Sequence, residues 1–290
     1  MFALIVIGAV VRTTGSGLAC PDWPLCEGRL IPRFEAHVLI EWFHRLVALL
    51  VSLLLFATAA WVVAHRALRA RLGRLLTIAL VLLFAQVLLG ALTVWKLLSP
   101  AVVSSHLAVA LLLFSTLLVL TLIAHREAAA EPAAIAPRPA GLLPSFVVAT
   151  ALTYVQVLLG GIVSTNHAGL ACPDWPTCFG RWFPPLEGLV GLQMIHRYGA
   201  YALLVVLLNA ALRARRAPDR RIAVGGSMAL TLVVAQMVLG VLNVLLGTPV
   251  WLSAAHLATA AALLAMLVMT TFRVAALPVQ ALKLAPAEAR

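Results

Sequence analysis

The sequence predicts an all-α integral membrane protein of eight transmembrane helices, built as two tandem four-helix bundles in parallel repeat. Composition is the first support: of 290 residues, 63% are hydrophobic and 11% charged, and the mean hydropathy is +1.05. That lies outside the range of soluble globular domains. The second is a set of seven apolar runs, at 38–64, 75–95, 102–124, 144–164, 190–212, 224–246 and 251–272, each of the order of the ~20 helical residues that cross a hydrocarbon core. The third is an octapeptide, Ala-Cys-Pro-Asp-Trp-Pro-x-Cys, which occurs at Ala19–Cys26 and again at Ala171–Cys178. The chain is an internal duplication.

The first helix is the least complete. Met1–Val11 is apolar but covers only about half a span. The offset of 152 between Cys20 and Cys172 places Met1 opposite Thr153, whereas the second copy's helix opens near Pro144. The expectation is a start assigned too late, or a truncation. No basic segment precedes the apolar stretch, so a removable signal peptide is not expected.

The arginines orient the remaining spans. Arg66, Arg69, Arg71 and Arg74 fall between the second and third spans; Arg213, Arg215, Arg216, Arg220 and Arg221 fall between the sixth and seventh. Short arginine-rich connections mark the cytoplasmic side. The N-terminus is then cytoplasmic, and both cysteine loops lie on the outer face of the cell (inner) membrane. The net charge of +11 therefore sets topology and meets anionic lipid headgroups. Nucleic-acid binding is set aside, because no aromatic residues interleave with the arginines. Trp23, Trp42, Trp95, Trp175, Trp182 and Trp251 map to the outer boundary, where indole rings settle.

Between the halves, Pro132, Pro137, Pro139 and Pro144 interrupt any helix and mark a linker. The domains read as 1–130, a linker at 131–143, a second bundle at 144–274, and a tail at 275–290. An even number of spans in each half gives both the same orientation, as in parallel repeats.

All four cysteines, Cys20, Cys26, Cys172 and Cys178, lie in the loops of the oxidising side. A local disulfide in each loop is the first reading. A redox-active dithiol is a second. A zinc site is a third, although further ligands at suitable spacing are missing. A finer repeat, Gln-x-x-x-Gly, recurs at Gln86/Gly90, Gln156/Gly160 and Gln236/Gly240, with Leu4 and Gly8 in the matching places of the first helix. Such a motif serves helix packing, with glutamine bonding across helices, or contact with a cofactor.

Four histidines carry the chemistry. His44, His106, His196 and His256 each lie a few residues inside the outer end of an even-numbered span, at one shared depth. Ionisable groups inside a membrane are costly and mark function. No HExxH motif, intramembrane carboxylate cluster or neighbouring thiol accompanies them. Two imidazoles per four-helix bundle suit haem iron held between facing helices. His37, His65, His125 and His167 read as loop or span-end residues.

The paired CPDWPxC loops, the segment Glu41-Trp42-Phe43-His44-Arg45 and the duplicated histidines resemble the haem A synthase family over essentially the whole chain apart from the short first helix. The resemblance implies an enzyme that oxidises the C8 methyl of haem O to a formyl group through hydroxymethyl and geminal-diol stages. It implies that His196 and His256 hold a haem b cofactor, and that His44 and His106 receive the substrate haem O. It also assigns a catalytic role to Glu41, for which the offset of 152 puts Gln193 in the second half. Implied partners are haem O synthase, an electron-transfer partner and cytochrome oxidase assembly factors, with self-association left open. Two other readings use the same histidines: a di-haem b electron-transfer protein, and a haem transporter or chaperone. An interfacial ion pair of Glu41 with Arg45 or another outer arginine is the alternative reading of that glutamate.

Overall fold

The computed structural model describes residues 1–128 and 137–278. Helices are the response of an apolar chain to a solvent without hydrogen-bonding partners, since each satisfies its own backbone. The order is α1 (Phe2–Thr13), α2 (Ala36–Ala64), α3 (Arg66–Trp95), α4 (Pro100–Ala128), α5 (Leu142–Thr165), α6 (Gly188–Ala214), α7 (Arg220–Leu245) and α8 (Val250–Ala275). A short 3₁₀ turn, Ala168–Leu170, follows α5. Among the described residues there are no strands, only two isolated bridges, between Cys26 and Arg29 and between Cys178 and Arg181.

Seven of the helices, α2 to α8, are long and apolar enough to cross a membrane, while α1 has 12 residues. The chain is a multi-pass membrane protein. All seven begin before the apolar runs that predict them, and α4, α5, α6 and α8 also end beyond theirs. The arginines expected in a connection after α2 instead occupy the first turns of α3, and the connection shrinks to His65. Arg213 likewise closes α6, and Arg220 and Arg221 open α7. The physical reason is that hydropathy marks where hydrocarbon ends, whereas a helix continues into the polar boundary as long as nothing breaks it.

Consecutive long helices pack against each other, and α8 also touches α1, α4 and α5. Three apolar clusters result. Leu55, Leu72, Leu76, Leu83 and Leu113 join α2, α3 and α4; Phe146, Leu203, Leu207, Ile222 and Leu267 join α5 to α8. Ile5, Leu111, Val157, Ala261 and Leu264 join α1, α4, α5 and α8. Small residues let these helices approach closely: a Cβ on Gly225 of α7 would collide with Thr270 of α8. Outward faces stay apolar, as at Leu53, Leu54 and Phe56 of α2 and Val81 and Phe84 of α3, which suits lipid rather than water.

The first six residues of the Pro/Ala linker, 131–136, and the tail beyond 278 lie outside the described residues. Where the chain resumes, the Arg138 N–H donates to the carbonyl of Pro278 at 2.8 Å, bringing the start of the second half beside the end of α8.

Candidate haem site beneath two disulfide loops

Each cysteine loop is folded by its aspartate. The Asp22 carboxylate accepts the N–H groups of Glu27 at 2.6 Å and Gly28 at 2.7 Å. Asp174 accepts those of Phe179 at 2.8 Å and Gly180 at 3.1 Å, and the Thr177 hydroxyl at 2.6 Å. These donors sit in a turn whose two residues both have positive φ: Glu27 at 56° and Gly28 at 67°, Phe179 at 51° and Gly180 at 73°. Glycine adopts that region without penalty. The N–H of Gly28 chiefly holds the Asp22 carboxyl below its ordinary range; for Asp174 the Thr177 hydroxyl is the main cause, followed by the two N–H groups. Disulfides close both loops, Cys20–Cys26 with a Cα separation of 4.7 Å and Cys172–Cys178 with 4.9 Å. The first reading of the cysteines holds.

An arginine directly after His44, and another after His196, fastens the loop of its half to the helix below. Arg45 donates to the carbonyls of Asp22 and Leu25 at 2.6 Å and of Cys20 at 3.0 Å. Arg197 does the same for Asp174 at 2.9 Å, Thr177 at 2.8 Å and Cys172 at 2.6 Å. A guanidinium is suited to this, with its donors fixed in a planar fork. Sequence reasoning placed Arg45 only as an ion-pair partner of Glu41 and left Arg197 without a role; the signal for the clamps was the His-Arg dipeptide shared by the two copies.

The copies differ at the residue three before the histidine. Glu41 is 4% exposed. Its Oε1 accepts from Arg45 at 2.6 Å and its Oε2 from the Cys20 N–H at 2.9 Å. The expected ion pair is therefore present, and it ties Glu41 to the disulfide. Gln193, also 4% exposed, donates to the Gly169 carbonyl at 3.3 Å, and its Oε1 is buried without a partner.

The four histidines occupy matching registers. His44 and His196 are the ninth residues of α2 and α6, and His106 and His256 the seventh of α4 and α8. His44 and His106 lie close enough for their charges to interact, as do His196 and His256. Each ring rests on a glycine of the preceding odd-numbered helix. A Cβ on Gly8 would stand 3.2 Å from Cε1 of His44, on Gly90 3.3 Å from His106, and on Gly160 and Gly240 3.0 Å from His196 and His256. The glutamines of the same motif also reach the rings: Gln86 Nε2 lies 3.2 Å from Nε2 of His106, and Gln156 Nε2 lies 3.1 Å from Nδ1 of His196. The motif thus serves the histidines and helix contact together.

These pairs fit haem on the chemistry of their donors. Nδ1 of His44, His106 and His256 is buried with no hydrogen-bond partner, an arrangement that costs free energy unless the ring has another use. Among the described residues no three His, Cys, Asp or Glu side chains gather around one point. Each pair therefore offers two neutral-donor ligands, which suits an iron whose remaining ligands come from a macrocycle. Of the other histidines, His37 takes up the buried Ser16 hydroxyl at 2.9 Å, and His167 holds a left-handed φ of 55° before the 3₁₀ turn.

The chain matches the family model COX15-CtaA, described as cytochrome oxidase assembly protein, over residues 1–268. It is 34% identical over 248 residues to a protein named Heme A synthase from Symbiobacterium thermophilum, covering 83% of this chain and 81% of the relative. It is 32% identical over 262 residues to a Heme A synthase from Geobacillus kaustophilus, covering 88% and 82%. With a Heme A synthase from Methylobacterium radiotolerans it shares 30% over 308 residues, covering 91% and 84%.

Proposed function

The chain belongs to the COX15-CtaA family of cytochrome oxidase assembly proteins, and from that membership we propose that it is a haem A synthase, an oxidoreductase converting haem O to haem A for cytochrome oxidase. The observation that carries this is the pair of histidine sites, alike in their glycine rests and arginine-clamped loops and unlike at Glu41 and Gln193. A symmetric electron-transfer protein has no use for that difference.

In this reading the chain forms two four-helix bundles in parallel repeat, 1–130 and 144–274, joined by the linker 131–143, with the short α1 in the place of the eighth span. The N-terminus is cytoplasmic and the cysteine loops face outward from the cell membrane. His196 and His256 hold haem b as a resident cofactor; His44 and His106 hold the substrate haem O. Bound haem supplies the redox chemistry, since turning a methyl into an aldehyde through hydroxymethyl and diol stages removes four electrons.

The protein's own residues orient and balance charge. The histidines fix the substrate macrocycle so that one methyl is presented consistently. Glu41 supplies a carboxylate one turn from His44, where it stabilises positive charge developing on the substrate. Each of its oxygens already receives one donor, which fixes the orientation of the carboxylate beneath the loop. The two loops cover their end of the helices and limit water there. Haem O synthase, an electron-transfer partner and oxidase assembly factors are the fitting partners.

Pigment extraction tests the reading. Expressed aerobically with a haem O synthase, the protein should yield haem A. Recovery of haem b and unmodified haem O alone, from folded protein under reductant-sufficient conditions, would contradict it.

A further inference from the structure

At the end of the helices away from the cysteine loops, α7 and α8 part to leave a cavity of about 570 Å³. Its mouth is basic. Arg220 and Arg221 from the first turn of α7 and Arg273 from the last turn of α8 line it, with Asp219 beside them. The Asp219 carboxylate caps α7, where it accepts the Arg221 N–H at 2.8 Å. Among the described residues neither Arg220 nor Arg273 has an ion-pair partner. Further in, the walls are apolar: Met269 stands one helical turn, and Met266 two turns, from Arg273 toward the membrane interior, and Met228 of α7 is exposed on the outward side. The floor is the place where Gly225 meets Thr270, whose hydroxyl already donates to the Met266 carbonyl at 2.8 Å. The first half fills the corresponding place. With Gln86 set against Gln236 and His106 against His256, an offset of 150, it has Leu75 for Gly225, Leu120 for Thr270, Ala70 for Arg220 and Ile123 for Arg273. Leu75, Leu120 and Ile123 all belong to the apolar packing of α2 to α4. Space and charge are thus exchanged together between the halves.

We propose that this cavity binds an anionic phospholipid, with its phosphate between the guanidinium groups and the upper part of an acyl chain against the methionines. Guanidinium forks match phosphate oxygens, and methionine adapts its shape to an irregular apolar partner. Basic pockets between membrane helices on the cytoplasmic side take anionic headgroups in this way. A free phosphate would use the arginines and leave the methionine wall uncovered, and a zwitterionic lipid brings a cation of its own to a basic mouth. In the proposed orientation the lipid belongs to the cytoplasmic leaflet. Bound there, it joins the ends of α7 and α8, the helices that carry Gly240 and His256 nearer their other ends.

Native mass spectrometry of the purified holoprotein tests this. After delipidation in neutral detergent, the parent should bind a first phosphatidylglycerol about 10–30-fold more tightly than phosphatidylcholine, the worth of two cations near a membrane surface. Arg220→Ala with Arg273→Ile copies the first half's Ala70 and Ile123 and should remove that preference. Equal binding of the two lipids by the parent, or an unchanged preference in the variant, overturns the proposal. Excess inorganic phosphate should leave the phosphatidylglycerol in place; its displacement would make this a site for a soluble anion and overturn the proposal as well. If the variant does not assemble, the parent decides: phosphatidylglycerol with a photoreactive acyl chain should crosslink to peptides containing Met266 and Met269, and crosslinks confined to other helices overturn the proposal. A reversed topology, read from labelling of Phe183→Cys, moves the lipid to the opposite leaflet and leaves these results unchanged, so the two failures are distinct.

Discussion

Glu41 and Arg45 stand one helical turn apart on α2 and meet at 2.6 Å, while the other carboxylate oxygen of Glu41 takes the Cys20 N–H at 2.9 Å. The acidic group of this span is thereby coupled to the disulfide loop above it. Arg45 binds that loop through three carbonyls as well, so the loop has a second anchor if the carboxylate is changed.

Glu41→Gln consequently separates anchoring from chemistry. It reproduces the second half's Gln193 at nearly constant volume, and Arg197 shows that the arginine clamp forms beside a glutamine. The variant should fold and retain haem b, while haem A formation falls about 10²–10⁴-fold, the usual worth of a positioned acid–base group. The ratio of haem O, hydroxylated intermediate and haem A extracted from the purified variant measures this. Near-normal haem A would leave Glu41 as a loop anchor only; accumulated intermediate would confine it to the second oxidation.

The disulfides predict both a thiol count and an orientation. Oxidised protein should show no reactive thiols, since Cys20 pairs with Cys26 and Cys172 with Cys178. A cysteine introduced at the exposed loop residue Phe183 should be labelled by a membrane-impermeant maleimide from the outer side of intact cells; labelling confined to inverted vesicles would reverse the topology. Replacing Cys172 and Cys178 by serine should cost about 2 kcal/mol, the chain-entropy value for so short a loop, seen as a lower melting temperature with haem b retained. The Asp174 and Arg197 contacts persist in that variant and keep the loop's course.

Asp22 and Asp174 set the acid limit of the loops. Both carboxyls are held below their ordinary values in the folded protein by donors that favour the ionised form. A depressed folded value means the contribution is fully present above the unfolded carboxyl pKa of about 3.9 and disappears as pH falls toward the folded value. The loops should thus keep their protease resistance from neutral pH down to about 4, and lose it below. Asp174→Asn should remove that acid-dependent step from the second loop. Loss of resistance between pH 7 and 5 in the parent protein would contradict the assignment.

Much of this architecture was legible because membrane physics writes it in long apolar runs. The spans, the duplication, the disulfide pairs and the four histidines needed only hydropathy and spacing. Helix starts were the least legible, as α3 shows by taking Arg66 to Arg74 into its first turns: arginine is a good helix former, and only the lipid boundary stops at the apolar edge. The arginine clamps were hidden for another reason. Arg45 and Arg197 satisfy loop carbonyls some twenty positions away, a tertiary relation no local pattern encodes. Gln156 was visible as half of a motif, but its partner Gly199 became evident only when the two helices were seen together.

The division of labour between the halves is the central claim, and parallel spectra of His44→Ala and His196→Ala test it most directly. Both variants would be purified from cells supplied with haem O, scored for the low-spin bis-histidine spectrum, and extracted for haem A. His44→Ala should keep the haem b spectrum and lose haem A; His196→Ala, like His256→Ala, should lose the haem b spectrum itself. Survival of that spectrum in both His196→Ala and His256→Ala, with its loss in His44→Ala, would place the resident cofactor in the first half and contradict the account.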